Sequence, residues 1–218
     1  MARRRVAILI SGRGSNMTAL IEAAKAKDHP AEIVLVISNI ARAGGLAKAS
    51  DAGIETATIE SKPFGKDRES FERALQDKLV SHNIELVCLA GFLRLLTPWF
   101  VKQWDGRMLN IHPALLPSYK GLNTHERALA DGVKIHGATV HFVVPEMDSG
   151  PIVMQGAVAV RDDDTRDTLA KRVLAVEHRI YADALRLVAS GGTRLENGLC
   201  KTDASGSPDD ALISPEII

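Results

Sequence analysis

Cysteine is scarce in this chain of 218 residues, where only Cys88 and Cys200 occur. Cys88 lies in an apolar run and Cys200 in a polar segment, so a disulfide framework is not expected and a reducing cytoplasm is the predicted location. An excess of charge of one sign is also missing, because Lys plus Arg and Asp plus Glu both total 27. The bulk charge therefore gives no reason to expect a nucleic acid or an anionic membrane as a partner.

Long hydrophobic runs are absent as well. The basic residues Arg3 to Arg5 precede an apolar run that soon reaches Ser11, which is too short for a membrane span or a signal peptide. Internal repeats and low-complexity segments are also missing. What the chain does have is an apolar fraction of 45%, which is enough for the sizeable core of one large α/β domain.

In the first half of the chain, apolar runs typical of strands alternate with apolar patterns typical of helices. Near-continuous apolar runs at 6–11, 32–38 and 85–91 are typical of parallel strands that are covered on both faces. Helical patterns at 15–27 and 67–82 lie between them. This alternation predicts βαβ units and an open, mostly parallel sheet with helices on both faces.

The second half adds a different pattern. Residues 137–144 alternate as an antiparallel strand does, and 151–160 are the predicted partner. A long helical pattern follows at 165–190. A last strand is predicted near 193–195, and the polar residues 196–218 are predicted to form a flexible tail. The fold class is therefore α/β with an antiparallel extension.

A glycine turn joins the first strand to the first helix. Gly12 and Gly14 allow a tight turn and a close approach to a ligand, and the N–H groups of a helix start favour a phosphate. Ser15 or Asn16 could bind a ligand oxygen or simply cap the helix, so an ordinary capped turn remains an equal alternative. Met17 replaces the third glycine of a dinucleotide fingerprint, which favours one phosphate over two.

Polar side chains stand at the end of an apolar strand at 108–112. Asn110 and His112 are two residues apart and so project from the same face, and Pro113 ends the strand. Asp148 lies in a glycine-flanked turn that could be only a solvated hairpin tip. Together these groups could donate to an oxyanion and move a proton, as addition to a carbonyl requires. No Ser or Cys is placed with a base as a nucleophile, which favours direct transfer over a covalent intermediate.

Several separated motifs resemble the phosphoribosylglycinamide formyltransferase family, which is folate-dependent and acts in purine synthesis. They are ISGRGSN at 10–16, AGFLRLL at 90–96, NIHPALLPSYKG at 110–121, HGATVHFV at 136–143 and MDSGPIV at 147–153. Their order and spacing agree with the family from about residue 6 to about residue 194.

The resemblance implies a Rossmann-like formyltransferase domain over 1–195, with a nucleotide-binding half at about 1–100 and a folate and catalytic half at about 101–195. It implies transfer of formyl from 10-formyltetrahydrofolate to the amine of glycinamide ribonucleotide, through a tetrahedral intermediate. The product is formylglycinamide ribonucleotide, in de novo purine biosynthesis. Both compounds are small-molecule partners, no metal is implied, and a monomer or a homodimer is expected.

The resemblance also implies roles for individual residues. The implied catalytic residues are Asn110, His112 and Asp148. The implied contacts of the ribonucleotide are Gly14, Ser15, Asn16 and Glu177. The implied contacts of the folate cosubstrate are Arg68, Arg94, Leu95, Leu96, Val143 and Val144. His125 and His141 match family histidines near the site, where structural and catalytic roles both remain open.

Other readings are less favoured. A methionyl-tRNA formyltransferase is expected to carry a further C-terminal domain, and a formyltetrahydrofolate hydrolase an N-terminal regulatory domain. A non-catalytic nucleotide-binding module would use the glycine turn alone. The presence of Asn110, His112 and Asp148 together argues against it. A zinc site is not expected, because His136 and His141 lie on opposite faces of a predicted strand and no clustered Cys pattern occurs.

Overall fold

The computed structural model describes residues 2–202. The strands of the main sheet are β1 (Arg4–Ile10), β2 (Ala31–Ser38), β3 (Glu55–Thr58), β4 (Leu86–Leu89), β5 (Met108–His112), β6 (Ile135–Phe142) and β7 (Ile152–Ala159). The helices are α1 (Ser15–Ala24), α2 (Gly44–Asp51), α3 (Arg68–Ser81), α4 (Pro98–Gln103), α5 (Thr124–Ala130) and α6 (Arg166–Ala189). A short 3₁₀ helix spans Lys62–Phe64, and a separate hairpin consists of β8 (Thr193–Glu196) and β9 (Leu199–Thr202).

The seven strands form one sheet in the order β3-β2-β1-β4-β5-β6-β7. The pairs from β3 to β5 are parallel, whereas β6 is antiparallel to both β5 and β7. This topology confirms the predicted α/β fold class with its antiparallel extension.

Side chains of β1 enter two separate cores. Val6 and Ile8 pack with residues of α1 and α6, whereas Ala7 and Leu9 pack with residues of α3 and α4. Alternate residues of a strand point to opposite faces, so helices cover both faces of the sheet. Because both faces are covered, no residue in the middle of β1 faces water, and its sequence is therefore a near-continuous apolar run.

The C-terminal prediction needs a correction. Residues 199–202 pair with β8 as the strand β9, so the predicted flexible tail begins too early at 196. Asn197 and Gly198 both have positive φ, at 51° and 76°, which is the backbone that a two-residue Asn-Gly hairpin turn uses. That dipeptide is the sequence signal for the hairpin. The rest of the predicted tail, 203–218, lies outside the described residues.

Candidate active site

The loops after β1 and β4 and the last residues of β5 lie at one edge of the sheet, because these strands are parallel neighbours. The backbone N–H of Ser11, just after β1, donates to the carbonyl of Gly91, just after β4. Asn110 and His112 are in β5, next to β4. Crevices at the carboxyl ends of parallel strands are where open α/β sheets bind their ligands.

His112 is held between two acceptors. It is 5% exposed, and its Nε2 lies 2.9 Å from the carbonyl oxygen of Tyr119. Its Nδ1 faces Oδ2 of Asp148 at 3.5 Å. A carbonyl only accepts, so Nε2 donates to Tyr119, and the other ring nitrogen faces the carboxylate.

Asp148 is aimed by its backbone and by the loop opposite it. It has a φ of 51°, in the left-handed region, and its Oδ2 accepts a 2.8 Å hydrogen bond from the N–H of Gly121. The turn after it packs tightly, because a Cβ on Gly150 would lie 1.7 Å from the carbonyl oxygen of Phe142. Only glycine fits there, and this close contact holds the turn against the end of β6.

Asn110 is oriented by His141, which lies opposite it across the β5–β6 pair. The Nδ2 of Asn110 is 3.2 Å from Nε2 of His141, whose Nδ1 is 2.9 Å from the carbonyl oxygen of Phe142. Burial lowers the pKa of His141, which favours the neutral ring with its proton on Nδ1. Nε2 then accepts from the amide of Asn110. A primary amide has two N–H donors, so one remains for a ligand.

The predicted ribonucleotide residues lie together although they come from opposite ends of the domain. Gly14 has a φ of 69° and precedes the first residue of α1. Asn16 Nδ2 donates to Glu177 Oε2 at 2.6 Å, and burial raises the pKa of Glu177. The Oδ1 of Asn16 is buried without a hydrogen-bond partner. A buried acceptor of this kind is suited to a ligand hydroxyl.

The predicted folate residues are spread over three segments. Arg68 begins α3, and the guanidinium of Arg94 lies 5.0 Å from the ring centre of Phe71, on the same helix. Leu95 is 61% exposed, so its side chain is accessible to a ligand. Next to Leu95, the predicted residue Leu96 packs against the core on the α3–α4 face.

The third folate segment follows β6. The N–H of Val143 donates to the carbonyl of Met108 at the start of β5, and its side chain packs against the same core. Val144 comes directly after it and is partly exposed. The segment leads to the turn that carries Asp148.

Sequence reasoning missed the loop at 119–121, which holds both members of the His112 and Asp148 pair. Tyr119 supplies its carbonyl from a left-handed backbone, with a φ of 55°, and Gly121 supplies its N–H. Between them, Lys120 Nζ donates to Ser149 Oγ at 2.6 Å. The sequence signal was weak, because two of these three contacts use backbone atoms that any residue has.

A comparison with protein families settles which group this geometry belongs to. The formyl transferase family model matches residues 4–185. The chain belongs to that family. Phosphoribosylglycinamide formyltransferase of Escherichia coli (strain K12) is 39% identical over 211 residues, which cover 97% of this chain and 99% of that protein. The crystal structure of glycinamide ribonucleotide transformylase 1 from Symbiobacterium toebii has a TM-score of 0.88 at 40% identity, over 92% of this chain and 94% of that one.

A larger protein also matches. The trifunctional purine biosynthetic protein adenosine-3 of Bos taurus is 51% identical over 197 residues, which are 90% of this chain. The chain spans only 19% of that relative's length. Within residues 2–202, no group of three or more His, Cys, Asp or Glu side chains could hold a metal ion. Over the same residues, none of the helices has both the length and the apolar character needed to span a bilayer.

Proposed function

We propose that this formyltransferase moves the formyl group of 10-formyltetrahydrofolate to the amine of glycinamide ribonucleotide. The observation that carries the proposal is the arrangement of Asn110, His112 and Asp148 around the end of β5. Asp148 faces His112 at 3.5 Å, and Nε2 of His141 lies 4.0 Å from Asp148 and 3.2 Å from the amide of Asn110. The names of the two relatives that match nearly the whole chain support the choice of substrates.

The chemistry follows from the donors. A new bond forms between the amine nitrogen and the formyl carbon, and the carbonyl oxygen becomes an oxyanion. Asn110 donates to that oxygen through its second N–H. The separation of 3.5 Å between His112 and Asp148 is longer than an ordinary hydrogen bond, so the proton on Nδ1 can also be donated to the oxyanion.

The intermediate then collapses by breaking the bond between the formyl carbon and N10 of the folate. The attacking amine must lose a proton, and N10 must gain one. Asp148 is the carboxylate placed to accept the first proton, and the charged His112 beside it can supply the second. Atoms and charges balance without a covalent enzyme intermediate.

The two substrates are assigned to different segments. We assign the ribonucleotide phosphate to Gly14, Ser15 and Asn16, and its ribose to Glu177. We assign the folate to Arg68, Arg94, Leu95, Leu96, Val143 and Val144. A cytoplasmic location and a monomeric or homodimeric state remain predictions.

Incubation of the protein with 10-formyltetrahydrofolate, with and without glycinamide ribonucleotide, tests the proposal. We expect consumption of the folate only when the amine is present, with one formylated ribonucleotide made for each folate used. Consumption without the amine would identify a formyltetrahydrofolate hydrolase. Binding of the ribonucleotide without any consumption would identify a nucleotide-binding module. The Asn110→Ala variant is the control for uncatalysed breakdown of the folate.

A further inference from the structure

Three buried polar side chains form a network along the carboxyl edge of the sheet, outside the catalytic cluster. Ser11 follows β1, Asn39 follows β2, and Ser61 comes shortly after β3. Each is less than one-tenth exposed, at 6%, 8% and 8%. Polar groups are rarely buried so deeply unless they are hydrogen-bonded, and these three satisfy one another. We call them the Asn39 network.

The hydrogen bonds run in one direction. The backbone N–H of Leu93 donates to Ser11 Oγ at 2.8 Å, and Ser11 Oγ donates to Asn39 Oδ1 at 2.6 Å. Asn39 Nδ2 donates to Ser61 Oγ at 3.3 Å. Asn39 is the centre, because its two side-chain atoms bind the two serines.

Each end of the Asn39 network is joined to a segment that has been assigned to a substrate. Ser11 immediately precedes the glycine turn assigned to the ribonucleotide phosphate. Leu93 immediately precedes Arg94 and Leu95, which are assigned to the folate. Beyond Ser61, the short helix Lys62–Phe64 leads to Gly65, whose carbonyl accepts from the guanidinium of Arg94 at 3.4 Å.

Apolar side chains at all three positions of the Asn39 network would avoid the cost of burying polar groups, which hydrogen bonds only offset. Asn39 lies between the turn assigned to the ribonucleotide phosphate and the segment assigned to the folate, and a link between them is a reason for an amide at this position. We infer that Asn39 is a positioning residue that fixes the phosphate turn and the folate segment relative to each other. This inference rests on the proposed function, since it takes its two ligands from there.

Three single variants and one control test it. Ser11→Ala, Asn39→Ala and Ser61→Ala each remove one member of the Asn39 network. Ser38→Ala is the control, because its buried hydroxyl is in the residue next to Asn39 yet binds only the backbone of Ile40. Calorimetry would give the dissociation constants of glycinamide ribonucleotide and of 5-formyltetrahydrofolate, an isomer without a formyl group on N10. Urea unfolding would give the stability of each variant.

We expect Asn39→Ala and Ser11→Ala, each of which removes two buried hydrogen bonds, to weaken binding of both ligands by about fivefold to tenfold. Ser61→Ala should weaken binding of the folate alone, and Ser38→Ala should weaken binding of neither ligand. The losses of stability should be comparable among the variants. Wild-type affinities in Asn39→Ala, or equal weakening in Ser38→Ala, would overturn the inference and leave the proposed function intact. A wild-type protein that bound neither ligand would overturn the proposed function itself.

Discussion

At the scale of single residues, the proposed catalytic site depends on which atom each polar group turns towards its neighbour. Gly121 fixes one carboxylate oxygen of Asp148, and that same oxygen faces His112. Tyr119 fixes the far side of the imidazole. Neither residue of the pair can rotate away without losing a backbone hydrogen bond, so the charge of Asp148 stays beside the ring.

Asp148→Asn is expected to lower turnover by about 10² to 10⁴, the usual range for loss of a group that moves a proton. The amide keeps an oxygen for the N–H of Gly121 but has no charge to hold the imidazolium of His112. Steady-state kinetics with both substrates would measure the effect, which should appear in kcat more than in KM. Glu146→Gln makes the same chemical change in the same turn at an exposed side chain, and it should act like the wild type. Near-normal turnover in Asp148→Asn would remove Asp148 from the mechanism.

The sequence predicts some of these residues and not others. Asn110 and His112 were predicted to share a face from the period of a strand alone, and their contacts with His141 and Asp148 are consistent with one common face. Asp148 became a catalytic candidate through chemistry and resemblance, because a turn has no period that points to a distant strand. Tyr119 could not be predicted, since its contribution is a carbonyl.

At the scale of elements, length and apolar pattern decided which predictions succeeded. The pattern at 67–82 predicted α3, which begins at Arg68 after its cap Asp67. The sequence did not predict α2, which starts with two glycines that are poor helix formers. Glycine at 45 avoids crowding, because a Cβ there would lie 2.5 Å from Cδ1 of Ile10 and 3.2 Å from the carbonyl oxygen of Gly12. Contact with β1 overrides local propensity, and such a contact is not visible in a short segment.

The turn between β1 and α1 allows structural and binding roles of glycine to be separated. Gly14→Ala should lower the free energy of unfolding by about 1 to 2 kcal/mol, because its φ of 69° disfavours any Cβ and that Cβ would lie 3.0 Å from Gly45 Cα. It should also weaken binding of the ribonucleotide and spare the folate. Gly12→Ala is the matched control for stability, because its Cβ would meet no atom within 4 Å. Equal loss of affinity for both ligands in Gly14→Ala would mean that the turn is structural only.

At the scale of the whole molecule, the site depends on contacts between residues that are far apart in the chain. Asn16 and Glu177 are 161 residues apart and yet share a hydrogen bond. Asn110 and His141 meet because β6 runs antiparallel to β5 in one particular register. Periodicity predicts the strands but not their order or register, so the assembled site required either a resemblance or the structure.

The stability of the whole domain should fall in acid, because the buried His136 lies beside the partly buried His125. His125 Nδ1 lies 3.2 Å from His136 Nε2, between α5 and β6. Burial lowers the pKa of both rings, and burial together with the neighbouring His125 lowers the pKa of His136 to about 4. In the unfolded chain a histidine has a pKa of about 6.5. Between these values the unfolded chain binds more protons, so the free energy of unfolding decreases as the pH falls.

His136→Gln should reduce that dependence on pH, since glutamine does not titrate and can still bond to His125. Urea unfolding at about pH 7 and about pH 4 would measure this dependence. From the higher pH to the lower, the free energy of unfolding of the wild type should fall by about 1 to 3 kcal/mol more than that of the variant. If His136→Gln lost as much stability in acid as the wild type, proton uptake at this histidine pair would not be what destabilises the fold.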